Sequence, residues 1–139
     1  MINEILKNIN LQFETGVYGL LGANGAGKTT LIKCLCNLYE IDSGSILYNG
    51  IQINHLKNNY FNSLGYLPQN FGYYQDFTAY DFLSFIGVLK GLEGKKLEHR
   101  IEYLLKELGL YEKKNIRLYS GGMLRRVGIA QALLNEPKS

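Results

Sequence analysis

The sequence contains few cysteines, and their spacing argues against a disulfide or a metal site. Only two cysteines occur among the 139 residues. Cys34 and Cys36 lie two positions apart in a predicted helix, where their side chains do not face each other. A disulfide between them is not expected, and no further ligands accompany them. Reduced cysteines agree with a cytoplasmic location.

The sequence also lacks long apolar runs and a strong charge of either sign. No run approaches the roughly 20 apolar residues that a membrane span requires, and the N-terminus lacks the pattern of a secretory signal. The formal charge of +3 is spread along the chain rather than gathered into one block. We expect these charges to be solvated surface, so no nucleic-acid partner is expected. The composition is typical of one globular domain or part of one.

The first half of the chain carries strand and turn signals. Residues 5–13, "ILKNINLQF", alternate apolar and polar side chains, which predicts a half-buried strand. Residues 15–22, "TGVYGLLG", predict a second and fully buried strand. Asn49–Gly50 lies between two short apolar runs and predicts a β-hairpin. Residues 63–70, "SLGYLPQN", predict one more short strand, which Pro68 ends.

The glycine-rich stretch "GANGAGKTT" connects the second predicted strand to a predicted helix, "KTTLIKCLCNLY". Gly22, four residues, Gly27, Lys28 and Thr29 match the phosphate-loop pattern G-x-x-x-x-G-K-[ST]. Glycines let successive backbone N–H groups converge on phosphate oxygens, and the helix N-terminus favours the anion. Lys28 is expected to reach the β- and γ-phosphates, and the Thr29 hydroxyl to hold Mg²⁺. The predicted nucleotide-binding residues are Gly22, Ala23, Asn24, Gly25, Ala26, Gly27, Lys28, Thr29 and Thr30.

Beyond residue 77 the pattern changes from strands to three amphipathic helices. The first begins with a capping box formed by Thr78 and Asp81. Gly109 ends the second, and the third begins at Ser120 with Pro137 beyond its end. Their apolar stripes predict core packing: Phe82, Phe85, Ile86 and Leu89; Leu97, Ile101, Leu104, Leu105 and Leu108; Met123, Val127, Ala130 and Leu134. The helices therefore predict a lobe inserted in the same domain.

Three segments in a fixed order carry a resemblance to a known family. They are "GANGAGKTT", then "YLPQN" with Gln69, then "YSGGM", which lies within "LYSGGMLRRVGIAQALLNEP". In this combination the chain resembles the ABC-type ATPases, the nucleotide-binding domains of ATP-binding cassette transporters. The resemblance implies an α/β fold with a partial P-loop NTPase core and an antiparallel hairpin region in residues 1–76. Residues 77–139 would form the α-helical lobe and the signature helix.

The resemblance also implies a role for the second glycine segment. In this family, ATP with Mg²⁺ is sandwiched between two domains arranged head to tail. Ser120, Gly121 and Gly122 would contact the γ-phosphate of an ATP held by a second nucleotide-binding domain, a second copy or a relative. Gln69 would contact Mg²⁺ or the attacking water, which places it beside Lys28 in catalysis and beside Thr29 as a metal ligand. Taken alone, Ser120 reads as a helix cap and Gln69 as a polar residue at a strand end.

Ten aromatic residues crowd between Tyr60 and Phe85. In the family, this region receives the coupling helix of a membrane-spanning subunit, and an exposed aromatic patch suits such docking. Core packing is the alternative interpretation. Docking would place the protein in the cytoplasm, peripheral on the inner face of the cell membrane.

The resemblance covers essentially all 139 residues, but only the middle of the family's domain. The magnesium-binding aspartate and catalytic glutamate would follow Ser139, and the adenine-stacking aromatic residue would precede Met1. The family is an ATP hydrolase, whereas we expect this chain alone to be nearly inactive. A truncated, inactive ATP-binding module and a soluble, non-transport ABC ATPase are the alternatives. A P-loop kinase or GTPase would explain neither Gln69 nor "YSGGM".

Overall fold

A computed structural model of the chain describes residues 5–111 and 113–137. The chain forms two compact units, with described residues 5–61 in the first and described residues from Asn62 onward in the second. The elements are α1 (Lys28–Leu35), β1 (Leu47–Tyr48), β2 (Ile51–Gln52), α2 (Ile53–Leu56), α3 (Asn58–Ser63), α4 (Ala79–Leu89), α5 (Gly94–Glu107) and α6 (Gly121–Leu133), with a 3₁₀ turn at Ile116–Leu118. Within the described ranges, no helix combines the length and the apolar character needed to cross a bilayer.

The predicted hairpin is confirmed. Strands β1 and β2 pair antiparallel, with Leu47 opposite Gln52 and Tyr48 opposite Ile51. The turn between them has φ of 51° at Asn49 and 79° at Gly50. Positive φ at both central residues matches the right-handed twist of paired strands, and Asn-Gly adopts it at low cost.

The strands predicted over residues 5–13, 15–22 and 63–70 are wrong, because none of these segments is a strand in the structure. Val17 and Leu21 are 102% and 93% exposed instead of buried. A strand needs a neighbour that accepts and donates its ladder hydrogen bonds. In the described part of the chain, no strand lies beside these segments. An alternating pattern predicts which side chains would share one face of a strand, but it does not supply the neighbouring strand that the hydrogen bonds require.

Helix α1 is shorter than its leucine spacing predicts. It ends at Leu35, followed by Cys36 as the C-cap, and Asn37 takes a left-handed φ of 54°. Leu38 consequently leaves the helix and is 53% exposed. Cys34 is buried and Cys36 half-buried, and both are free thiols, which confirms the prediction of no disulfide.

The second unit contains the core that α4, α5 and α6 share. Its most deeply buried side chains come from all three helices and the segments between them: Phe82, Leu83, Ile101, Leu110, Ile116, Val127 and Leu134. The three predicted helices are therefore confirmed. The stripe on α4 is only partly correct, since Phe85 and Leu89 are 39% and 68% exposed.

The predicted helix signals match the observed helix ends in this unit. The Thr78 hydroxyl accepts a hydrogen bond from the Asp81 N–H at 3.1 Å, and the Asp81 carboxylate accepts from the Thr78 N–H at 3.2 Å, which is a complete capping box. Gly109 follows α5 with a left-handed φ of 63°. These local rules fix where α4 begins and where α5 ends.

A backbone pairing connects the start of α4 to the segment that leads into α6. The Ile116 N–H donates to the Phe77 carbonyl at 2.8 Å, and the Arg117 N–H donates to the Gln75 carbonyl at 3.1 Å. The Arg117 guanidinium also lies 3.4 Å from the Asp76 carboxylate. Residues 75–78 and 115–117 therefore hold each other in register just before Ser120.

Candidate functional site

The glycine loop leads directly into α1, and two of its glycines require a left-handed backbone. Gly25 and Gly27 have φ of 85° and 90°. Gly27 is also packed closely, because a Cβ built on it would lie 2.8 Å from Cδ2 of Leu6. Side chains are strongly disfavoured at such φ values, so the pattern needs glycine here for backbone reasons. The loop itself is exposed from Gly22 to Ala26, and its backbone is therefore accessible to a ligand.

Lys28, the first residue of α1, folds back over this loop. Its Nζ donates hydrogen bonds to the carbonyl oxygens of Gly22 at 2.6 Å and Ala23 at 2.7 Å. The first N–H groups of α1 have no partner within the helix, so they are free to receive an anion. The ammonium, the loop and the helix N-terminus thus lie next to one another, and together they include all the loop residues that the sequence predicts. Such an arrangement is typical of an anion-binding site.

The donor set around the loop suits Mg²⁺ only together with phosphate. Thr29 is exposed in the first turn of α1. Among the described residues, no group of three or more His, Cys, Asp or Glu side chains could hold a metal ion. Mg²⁺ commonly takes one or two protein ligands and completes its shell with phosphate oxygens and water. The Thr29 hydroxyl fits that pattern, whereas a cation held by protein side chains alone does not.

Gln69 lies in the second unit, on an exposed segment that is not a strand. Its neighbours Leu67 and Phe71 hold the segment against α6. A Cβ built on Gly128 of α6 would lie 2.6 Å from Cδ1 of Leu67 and 2.7 Å from Cε1 of Phe71. Glycine therefore permits this close contact, and Gln69 projects from a segment that is anchored on both sides.

The start of α6 is a second exposed helix N-terminus. Ser120 is the N-cap, and its hydroxyl accepts a hydrogen bond from the Met123 N–H at 3.3 Å. Around the Cβ position of Gly121 no atom lies within 4 Å, and at Gly122 the nearest is the Ser120 Oγ at 4.0 Å. Ser120 therefore does act as a cap. A cap does not need two exposed glycines behind it, however, and these leave the first turn open to close approach.

The crowded aromatic residues divide between core and surface. Phe82 is buried, and Phe71 and Tyr73 pack against the core of the second unit. Tyr74, Phe77 and Phe85 form an aromatic triad with ring centroids 5.0 to 6.3 Å apart. Within the triad, Tyr74 is 54% exposed. Core packing is therefore confirmed for part of the aromatic segment, and docking stays a prediction for the exposed part.

The sequence reasoning missed three cationic side chains that hold α6. The Arg126 guanidinium donates to the Leu108 carbonyl, at the end of α5, at 2.9 Å. Lys90 and Arg100 donate to carbonyls at the far end of α6. The one available signal is that the last turn of α6 has no basic residue of its own. Which residues of other helices replace it cannot be read from spacing along the chain.

A glycine-rich loop with glycines in the left-handed conformation, followed by a lysine at the start of a helix, defines the class of P-loop nucleotide-binding proteins. Comparison with known proteins specifies the family: the family described as "ABC transporter" matches residues 6–139. A relative named "Uncharacterized ABC transporter ATP-binding protein YxlF", from Bacillus subtilis (strain 168), is 41% identical over 98% of this chain and 45% of its own length. A second relative, named "Uncharacterized ABC transporter ATP-binding protein sll0415", from Synechocystis sp., is 39% identical over 97% of this chain and 39% of its own length.

Comparison with solved structures indicates the same family. A structure titled "Structure of ATP binding subunit of ABC transporter" matches with a TM-score of 0.68 and 32% identity, over 84% of this chain and 50% of that one. The structure of cbiO1 from Clostridium perfringens, titled part of the ABC transporter complex cbiONQ, matches with a TM-score of 0.67 and 29% identity, over 85% of this chain and 49% of that one. The chain therefore belongs to the ABC transporter ATP-binding family. It spans less than half the length of the curated relatives that it matches.

Proposed function

We propose that the chain is the nucleotide-binding part of an ABC transporter ATPase subunit, and that it works by ATP-driven pairing with a second such domain. The observation that carries the proposal is the presence of two exposed, glycine-rich helix starts of different chemistry. One has the Lys28 ammonium within its loop. The other, at Ser120, offers a hydroxyl and backbone N–H groups.

That difference in chemistry implies a difference in role. A loop with a lysine, a hydroxyl and several N–H groups suits a polyphosphate, because charge-assisted hydrogen bonds are the stronger kind. The start of α6 has only partial positive charge from the helix dipole. Such a site adds to the binding of a phosphate that is already held elsewhere. The family arrangement supplies that phosphate: the γ-phosphate of the ATP held by the partner domain.

In the proposed ATP complex, each named residue has one task. Lys28 binds the β- and γ-phosphates and stabilises negative charge during transfer, and Thr29 holds Mg²⁺. Mg²⁺, when bound, neutralises charge on the phosphate oxygens. Gln69 orients the attacking water or contacts Mg²⁺ through its amide oxygen. ATP hydrolysis by the whole subunit follows from positioning and charge stabilisation, without a covalent intermediate.

We further propose that the aromatic triad contacts a membrane-spanning subunit. Its rings are partly exposed. Tyr74 and Phe77 precede the capped start of α4 and Phe85 lies within the helix, so the rings form one surface patch that suits docking. The protein would then work in the cytoplasm, on the inner face of the cell membrane, and would not need a nucleic-acid partner.

Nucleotide binding is tested by titrating the chain with a fluorescent ATP analogue, with and without Mg²⁺. Lys28→Ala is expected to weaken binding at least about tenfold, because it removes a charge-assisted contact. Lys95→Ala is the matched control, since Lys95 is exposed and also lies in the first turn of a helix, α5. Equal affinity of both variants would exclude the phosphate loop as the binding site.

Pairing is tested by sedimentation velocity of the same protein with ATP and Mg²⁺, with ADP, and without nucleotide. We expect a dimer only with ATP, because the γ-phosphate is the group that both sites share. An ATP-bound chain that stays monomeric at high concentration would refute pairing, while leaving nucleotide binding intact. The two parts of the proposal therefore fail separately.

A further inference from the structure

The far end of α6 is held by two cations from other helices. The Lys90 ammonium, at the end of α4, donates to the Gln131 carbonyl at 3.2 Å. The Arg100 guanidinium of α5 donates to the Leu133 carbonyl at 2.6 Å and lies 3.7 Å from the Glu136 carboxylate. Both carbonyls belong to the last turn of α6. Each also accepts a backbone hydrogen bond from just beyond the helix, Gln131 from the Leu134 N–H at 3.4 Å and Leu133 from the Glu136 N–H at 3.0 Å.

These contacts replace what the helix itself lacks. The last turn of α6 carries no basic residue, although the negative end of a helix dipole favours a cation there. The Arg100 side chain is only 19% exposed, so its charge is screened less than a surface charge would be. Among the described residues, three buried atoms at this end have no hydrogen-bond partner: Gln131 Oε1, Asn135 Oδ1 and Arg100 Nε.

The contacts at the C-terminal end of α6 contribute to the direction of the whole helix, together with the packing of Met123, Leu124 and Val127 in the core. Gly128 packs against Leu67 and Phe71 near the middle of the helix, whereas Gly121 at its start is open on all sides. With a rise of about 1.5 Å per residue, Ser120 lies about 12 Å from this contact and Leu133 about 8 Å on the other side. If α6 turned as a rigid rod about this contact, a displacement of about 1 Å at its C-terminal end would move Ser120 by about 1.5 Å. Hydrogen bonds to phosphate do not tolerate such a shift.

We propose that Lys90 and Arg100 are positioning residues for the signature site, because they fix the direction of α6 and hence the place of Ser120. The inference rests on the proposed function, since it needs the α6 start to contact a partner's nucleotide. It extends that function to two residues on α4 and α5 that lie at the opposite end of the helix from the phosphate contact.

The experiment compares Arg100→Gln, Arg100→Lys and Lys96→Gln in two assays. Lys96 is exposed on α5 and serves as the matched loss of one positive charge. We expect Arg100→Gln to weaken ATP-dependent dimerisation at least tenfold while its affinity for the fluorescent ATP analogue, bound in the first unit, stays unchanged. Arg100→Lys should recover most of the dimerisation, and Lys96→Gln should behave as the unchanged chain.

The outcomes separate this inference from the proposed function. If the unchanged chain does not dimerise with ATP, the proposed pairing is wrong and the positioning role falls with it. If the unchanged chain dimerises and Arg100→Gln dimerises equally well, the positioning role alone is wrong. If Arg100→Gln loses helix content, Lys90→Gln, which removes the weaker contact, replaces it in the same two assays. Unchanged dimerisation of Lys90→Gln would then overturn the inference.

Discussion

Gly128 of α6 lies directly against the ring of Phe71, so close that a Cβ on Gly128 would come within 2.7 Å of the ring's Cε1 atom. The contact joins the signature helix to the segment that carries Gln69. Two elements that the proposed function uses for the nucleotide are therefore packed together within the second unit. The contact depends on the lack of a single methyl group.

Gly128→Ala should consequently destabilise the second unit, even though alanine favours helix. The added methyl would also meet Leu67 at 2.6 Å, and overpacking of this kind costs about 1–3 kcal/mol. Chemical denaturation followed by circular dichroism measures the change. A variant as stable as the unchanged chain would show that the Phe71 ring moves aside at little cost.

Gly121→Ala should have the opposite effect on stability and a strong effect on pairing. Apart from the adjacent residues and the helix's own backbone, no atom lies within 4 Å of the Cβ position, and no positive φ is needed there. Alanine should therefore raise stability, but by less than the roughly 0.5–1 kcal/mol typical of a helix interior, because Gly121 is the first residue of α6. The same methyl would keep a partner's phosphate from the first turn of α6. We expect a raised melting temperature with loss of ATP-dependent dimerisation. Full dimerisation of this variant would contradict the assigned role of the glycine pair.

Thr78→Ala should destabilise the second unit by about 0.5–2 kcal/mol, because it removes the N-cap of α4. Thr78→Ser is the control, since it keeps the hydroxyl that accepts from the Asp81 N–H. Urea midpoints of the two variants give the comparison. If alanine and serine are equally stable, the capping box contributes nothing and the backbone pairing with residues 115–117 holds this helix start alone.

The first unit should lose stability in alkaline solution. Burial raises the pKa of the Cys36 thiol above its ordinary 9.0, and burial, followed by the nearby Cys36 and Tyr48, raises the pKa of Tyr60 above 10.0. A raised folded-state pKa gives stability that is complete below the unfolded value and is lost as pH rises through the folded value. The decline should therefore begin near pH 9.

Thermal unfolding at about pH 8 and about pH 10 measures this decline, and Cys36→Ser should reduce it because serine does not ionise there. Lys90, in the second unit, contributes a pH dependence of stability of the opposite sign. Burial lowers the pKa of its ammonium below 10.5, so its charged form opposes folding and that cost disappears as pH rises. A chain whose first unit is equally stable at both pH values would contradict the burial of Cys36.

The sequence predicts the helical unit well because its rules there are local. Thr78 with Asp81, Gly109 after α5 and Ser120 before α6 each act within one helical turn, and each lies where the pattern places it. The Asn49–Gly50 turn is local in the same sense. A cap or a tight turn needs only its near neighbours, so the sequence contains all of its causes.

The strand predictions fail for the complementary reason. The exposed Val17 and Leu21 have strand-like sequence, but a sheet forms between segments that are distant along the chain. Helices α2 and α3 were not predicted, and neither was the contact of the Tyr60 hydroxyl with the Leu35 carbonyl that accompanies them. The candidate site follows the same division. The loop and the Ser120 cap can be predicted from the sequence. The contacts of Lys90 and Arg100 with α6 cannot, because they join different helices.

In the proposed nucleotide complex, phosphate would compete with two carbonyl groups for the Lys28 ammonium. The carbonyl oxygens of Gly22 and Ala23 already accept hydrogen bonds from the ammonium at 2.6 and 2.7 Å. A phosphate that binds the ammonium must therefore replace these two hydrogen bonds with stronger ones. Ligands of low charge, such as a single sulfate, gain little from that exchange. A triphosphate, which presents several oxygens at once, would gain most, so the proposed site would favour ligands of high charge density whatever their base.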